Sequence, residues 1–135
     1  MKVIIDASVA LKWVLSEPGT EAAVALRTEE LIAPALWLVE ATNALWRGVE
    51  LGELTFAEAA EFLDQLIKAP VASLPMEPQL QAALALAVEL HHPIYDCIYL
   101  ALAVQQDSHV VTADHRFAAA ADRGGFSDRV RLLSP

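Results

Sequence analysis

The chain opens on Val3-Ile4-Ile5, a β-branched run that stops at Asp6. A short apolar run closed by a polar residue predicts a buried strand. Apolar positions then recur with helical spacing through Ala10, Leu11 and Val14, until Pro18-Gly19 ends the pattern. Residues 20–28 predict a second helix, Leu31-Ile32-Ala33 a strand ended by Pro34, and residues 35–51 a longer helix running to Gly52. Thr55 has Glu58 three residues on, the signature of a capping box, and predicts a helix through Phe62, Leu63 and Leu66 to Lys68. Strands are expected at Val71–Leu74, His109–Thr112 and Val130–Leu133, with helices over 79–90, 96–106 and 115–121.

Short apolar strands alternating with helices predict an α/β domain, with a mainly parallel central sheet of about five strands flanked by helices. The two helices within 35–68 have no strand between them, which predicts a hairpin projecting from the sheet. Neither a repeat nor a linker divides residues 1–135, and that length suits one domain. Strand order cannot be read from these patterns.

Composition narrows the function. Eighteen Asp and Glu against nine Lys and Arg give a formal net charge of -9, yet 56% of residues are hydrophobic. The acidity is therefore not that of a disordered tail. It opposes passive binding of nucleic acid, an objection any nucleic-acid reading must answer. Cys97 is the single cysteine, which excludes an internal disulfide and a zinc–cysteine site. The longest apolar run, Leu31 to Val39, is far short of a membrane span, and Asp6 and Lys12 break any signal-peptide pattern. A cytoplasmic protein without membrane attachment is expected.

Three acids fall at suggestive places. Asp6 ends the first strand, Asp114 follows the strand ending at Thr112, and Asp96 opens the helix of Cys97, Ile98 and Leu100. Aspartate is a favoured helix cap, and each could be only that. In a parallel sheet, however, strand ends share the edge where α/β proteins bind ligands. Glu40 is a fourth candidate, a lone acid within Leu36-Trp37-Leu38-Val39-Glu40-Ala41, on a helix face with Asn43 and Arg47. Clustered carboxylates raise one another's pKa, and a hard divalent cation relieves that repulsion. An acid-only set without His or Cys points to Mg²⁺ or Mn²⁺ and to phosphodiester hydrolysis.

Other motifs are absent or bland. The five glycines spell neither G-x-G-x-x-G nor a Walker loop, and there is no G-x-S-x-G elbow. A phospho-receiver would need an acidic pair at the first strand end and a later Lys, and neither is in place. Cys97 lies among Ile98, Leu100 and Ala101 and should be buried and inert. His91-His92 precede Pro93, lack the spacing to face one metal together, and are expected in a solvated loop.

The motifs Val3-Ile4-Ile5-Asp6-Ala7-Ser8, Ala33-Pro34, Val39-Glu40-Ala41-Thr42-Asn43, Tyr95-Asp96-Cys97-Ile98-Tyr99-Leu100 and Val111-Thr112-Ala113-Asp114 together resemble the PIN-domain ribonucleases, specifically the VapC-type toxins of toxin–antitoxin pairs. Each is weak alone; their order and spacing over the whole chain carry the resemblance. It implies a PIN-like fold and a metal site of Asp6, Glu40, Asp96 and Asp114, with Asp6 and Asp96 as the most regular ligands. It implies that Ser8, Asn43 and Thr112 support those carboxylates by hydrogen bonds. The activity implied is Mg²⁺-dependent endonucleolytic cleavage of single-stranded RNA, leaving a 5′-phosphate. A homodimer and a cognate VapB-type antitoxin are the implied partners. Where some relatives carry a further acid after the last Asp, this chain has His115 and Arg116, which leaves a fifth ligand unsupported. The rival reading is a PIN-fold binding module without catalysis.

Overall fold

The computed structural model describes residues 2–135. Five strands arise where the apolar runs predict them: β1 (Lys2–Ile5), β2 (Glu30–Pro34), β3 (Val71–Leu74), β4 (Val110–Thr112) and β5 (Val130–Leu132). All pair in parallel, in the order β3-β2-β1-β4-β5. The sheet is thus wholly parallel rather than mainly so. Parallel strands need crossovers, and the helices supply them: α1 (Ala7–Ala10) and α2 (Thr20–Ala25) lead to β2, and α3 (Leu36–Glu50) and α4 (Phe56–Ile67) to β3. The next crossover, α5 (Leu80–Leu90) with α6 (Ile94–Gln105), leads to β4, and α7 (His115–Arg123) leads to β5.

The strand order has one consequence for function. From β1 the chain builds β2 and β3 outward on one side, then returns to place β4 and β5 on the other. Loops leaving the carboxyl ends of β1 and β4 therefore diverge, and this reversal opens the crevice where parallel sheets place ligands. Register fixes what stands there: Ile5 pairs with Val111, so Asp6 follows directly beside Thr112.

The hairpin appears as expected. α3 packs against α4, and both halves of the capping box form: Glu58 N–H donates to Thr55 Oγ1 at 3.1 Å, and Thr55 N–H to Glu58 Oε1 at 2.9 Å. The buried stripe of α3 is Trp37, Ala41, Leu45 and Gly48, and the Trp37 indole N–H donates to Ser73 Oγ on β3. Several boundaries differ from the pattern reading, three of them in the helices. α1 is a single turn continued by a 3₁₀ turn at Leu11–Trp13. A 3₁₀ turn at Glu77–Gln79 leads into α5. α6 begins at Ile94, with Pro93 rather than a carboxylate at its N-cap. Proline needs no N–H partner there, so Asp96 falls inside the first turn instead of opening the helix.

α6 is the central pillar: seven successive residues, Cys97 to Ala103, are buried. Buried all round, it shows little of the one-sided pattern of a surface helix. Leu100 is fully enclosed, beside Ile4, Ile5 and Val110 in the same core. Leu100→Ala is expected to cost about 2–5 kcal/mol through lost burial and the cavity left behind. Urea unfolding should show a lower midpoint at unchanged slope.

Candidate active site

Asp6 is the best-held carboxylate. It caps α1 in an extended conformation, and its Oδ1 accepts from Ser8 N–H at 3.1 Å, Val9 N–H at 3.3 Å and the Ser8 hydroxyl at 2.5 Å. Its Oδ2 accepts from the Thr112 hydroxyl across the β1–β4 junction. Those hydroxyls are themselves bound: Ala113 N–H donates to Ser8 Oγ at 2.9 Å, and Asp114 N–H to Thr112 Oγ1 at 3.0 Å. The loop after β4 is thereby tied to the carboxylate after β1. Asp114 in turn caps α7, its Oδ1 accepting from Arg116 N–H at 2.9 Å.

Asp96 and Glu40 come from different crossovers. Asp96 Oδ2 lies 2.6 Å from His92 Nε2, and Glu40 Oε1 accepts from the Tyr99 hydroxyl at 2.7 Å. Tyr99 is fully enclosed, so this bond satisfies a hydroxyl that has no water and links α3 to α6. The charges act on one another. Burial pushes the Asp6 carboxyl up to about 7, against the pull of Ser8 and Thr112, and the charge of Asp96 adds to the rise. Burial raises Glu40 too, opposed by the Tyr99 bond and reinforced by Asp96. Asp96 is raised by burial, lowered by the His92 bond and charge, and raised again by Asp114. Asp96 is therefore the common neighbour of the other three acids.

The structure brings Asp6, Glu40, Asp96 and Asp114 to one edge and sets Ser8 and Thr112 on Asp6. Asn43 differs. It is exposed on α3 beside Val39 and Trp46 and bonds to none of the four acids among the described residues. Three residues beyond Glu40, it has turned about 60° around the helix axis. The expectation of a solvated loop at His91-His92 holds for His91, which is exposed in a turn, and is corrected for His92. His91 takes a left-handed conformation that ends α5, and His92 is tucked in, stacked on Phe117 with ring centroids 6.1 Å apart. Pattern reading missed His92 and Tyr99. Their signal was helical spacing about Asp96: Tyr99 at i+3 shares its face, and His92 stands four residues before it. Cys97 is buried as expected, its thiol pushed up to about 11 by burial and by Asp96.

No three His, Cys, Asp or Glu side chains among the described residues converge to chelate a cation, and each of the four acids accepts a hydrogen bond from, or lies in hydrogen-bond contact with, a protein group. A hydrated Mg²⁺ needs only one or two carboxylates directly, with waters filling the rest. An oxygen-only set around a carboxyl raised by burial and by the charge of Asp96 fits such an ion.

Two predictions arise here. A raised Asp6 adds stability that is full below its ordinary value of 3.8 and lost as pH rises through about 7. In metal-free buffer, the melting temperature of Asp6→Asn should therefore exceed wild type by a margin that grows from about pH 5 to about pH 8, and Mg²⁺ should narrow it. Thr112→Val, which leaves Asp6 Oδ2 and Asp114 N–H without partners, should cost about 1–3 kcal/mol in denaturant unfolding, with Thr112→Ser largely recovering it.

Comparison with known proteins identifies the family. The PIN domain family profile matches residues 3–123. Ribonuclease VapC3 of Pyrobaculum aerophilum is 32% identical over 123 residues, spanning 87% of this chain and 93% of that protein. The crystal structure of PAE2754 from Pyrobaculum aerophilum superposes with a TM-score of 0.75 over 98% of this chain and 92% of the other. At 24% identity that likeness speaks to the fold. By profile and by relative, the chain belongs to the PIN domain family and within it to the VapC type.

Proposed function

We propose that this protein is a Mg²⁺-dependent endoribonuclease that cleaves single-stranded RNA, acting as the toxin of a VapBC-type pair. The observation that carries the reading is the meeting of four acids, two from crossover helices and two from strand ends, at the sheet's reversal point, with Asp96 neighbour to the other three. The relative named a ribonuclease supports the substrate class.

Asp6 and Asp96 would hold the cation directly, and Glu40 and Asp114 directly or through water. When bound, Mg²⁺ (or Mn²⁺) supplies charge neutralisation, polarisation of a phosphodiester and a water acidic enough to attack it near neutral pH. The protein's own contribution is fixed geometry. Ser8, Thr112 and two backbone N–H groups hold Asp6, His92 orients Asp96, and Tyr99 orients Glu40. Donors already in place lower the reorganisation needed when substrate arrives.

The hairpin supports the partner reading. Val39, Trp46, Phe56 and Ile67 are all more than half exposed, and α3 and α4 frame a shallow apolar groove of about 600 Å³. Large exposed apolar patches mark protein interfaces. A second copy of this chain and a VapB-type antitoxin are the partners we assign to the hairpin. No helix among the described residues is long and apolar enough to cross a membrane.

The test is cleavage of a labelled single-stranded RNA with and without Mg²⁺. Wild type should cut only with the ion, and Asp6→Ala and Asp96→Ala should each lose about 10²–10³-fold. Equal activity in the variants would identify a contaminating nuclease; folded, metal-loaded protein that cuts no RNA would leave a PIN-fold binding module.

A further inference from the structure

Next to the acids lies an open cavity of about 450 Å³, lined by His92, Pro93, Asp96, Asp114, Arg116, Ala119 and Arg123. Its two walls are unlike. One is acidic, made by Asp96 and Asp114 of the site already described. The other is a face of α7 carrying two guanidinium groups.

We propose that Arg116 and Arg123 form a phosphodiester-binding subsite, which seats a phosphate of the RNA strand next to the one being cut. The proposal rests on the ribonuclease reading and adds to it the groups that receive the strand.

Helix geometry sets the arginines together. Seven residues apart, they stand on one face of α7, two turns from each other. Ala119 lies between them and offers only a methyl group, which leaves the floor of the cavity open. Neither guanidinium is in an ion pair among the described residues. Lys12, Lys68 and Arg129 by contrast pair with Glu17, Asp64 and Asp107, and Arg27 lies over the Trp13 ring. Lys2, Arg47 and Arg131 are also in no ion pair among the described residues, but of all these cations only Arg116 and Arg123 line the cavity beside the acids. The nearby Asp114 is committed to the backbone N–H of Arg116, so its capping role directs it away from that guanidinium. The opposite rim is rigid, since His92 is stacked on Phe117 and bonded to Asp96, and Pro93 starts α6.

Charge selects the occupant. The chain carries a net -9 and repels a polyanion at long range, so an RNA strand needs local cationic groups to stay. Guanidinium binds phosphate through paired N–H donors, a match that a lone ammonium does not make. An acidic peptide would also satisfy the arginines, but it would meet Asp96 and Asp114 across the cavity with nothing to gain there. A phosphodiester strand gains from both walls, because its scissile phosphate shares the cation of the acids while the adjacent phosphate meets the arginines.

The experiment compares wild type with Arg116→Gln/Arg123→Gln in Mg²⁺. Substrates are a twelve-nucleotide single-stranded RNA and a dinucleotide with one phosphodiester. On the longer RNA, KM should rise about tenfold with kcat nearly unchanged, and the salt dependence of log KM should flatten by about 1.4, the value for two lost contacts to a single strand. On the dinucleotide the two proteins should be equal. Fluorescence anisotropy with the labelled RNA in EDTA, where no cutting occurs, should show the same loss of affinity and salt slope. Equal KM, affinity and salt slope on the longer RNA would overturn the subsite while leaving the ribonuclease intact. A variant that keeps its RNA affinity but loses a poly-glutamate peptide would overturn it in favour of a protein partner. Wild type that neither cuts nor binds RNA would instead remove the ribonuclease reading and the subsite with it.

Discussion

The structure depends on a carboxylate buried where the sheet reverses direction. Asp6 is enclosed at the end of β1 and placed by register beside Thr112, with Asp96 close enough to raise it further. An ionised carboxylate in such a place is costly unless its oxygens are bonded. Both are. The donors reach it from its own helix turn and from the far side of the β1–β4 junction, 106 residues away in sequence. The hydroxyls of Ser8 and Thr112 also accept backbone N–H bonds from the β4 loop, so they act as connectors as much as donors. Loosening either would release the carboxylate and the loop that carries Asp114 together.

α6 joins this edge to the core. Its buried run anchors it in the core, and the same helix presents Asp96 and Tyr99 one turn apart. Tyr99 has no route to water, so its hydroxyl is satisfied by Glu40 on α3. One bond therefore both closes a gap in the core and positions an acid. Functional groups borne on rigid elements keep their geometry better than groups on loops. At the start of α6 the turn His91–Pro93 does similar work: a left-handed residue ends α5, proline begins α6, and His92 between them is set against Phe117 and Asp96.

Much of this was legible in the sequence, for local reasons. Short apolar runs named every strand, and the pair Thr55 and Glu58 named the cap of α4, because these signals act over a few residues. Asp6 and Asp114 could be placed at strand ends by the same logic. The strand order could not, since it depends on which apolar faces meet across the whole chain. Nor could the orientation of polar groups around each acid. Asn43 and Glu40 look equivalent on a helix wheel, but only Glu40 faces α6. His92 reads as loop because its neighbours do, and its role depends on a left-handed turn at a non-glycine residue, for which sequence offers little warning. Tyr99 was hidden by its setting, an aromatic among apolar residues whose hydroxyl matters only once α3 is alongside.

The net charge of -9 now divides by location. Four of the eighteen acids meet at the sheet edge, leaving fourteen against nine basic residues, a balance of -5 elsewhere. Three of those four are poorly placed for stability, since burial and mutual repulsion both raise Asp6, Glu40 and Asp96. A fold selected for stability alone would replace some of them with Asn or Ser, which cap helices about as well as Asp. Strain of this kind is expected where chemistry needs preorganised charge, and it is relieved by the ligand the site is built to bind. Repulsion among the acids and their affinity for a divalent cation have the same origin: each carboxylate that raises its neighbour also lowers the energy of an ion placed between them. On the function proposed above, the acidity that opposes RNA at a distance is, at this edge, the feature that would let a cation bring RNA in.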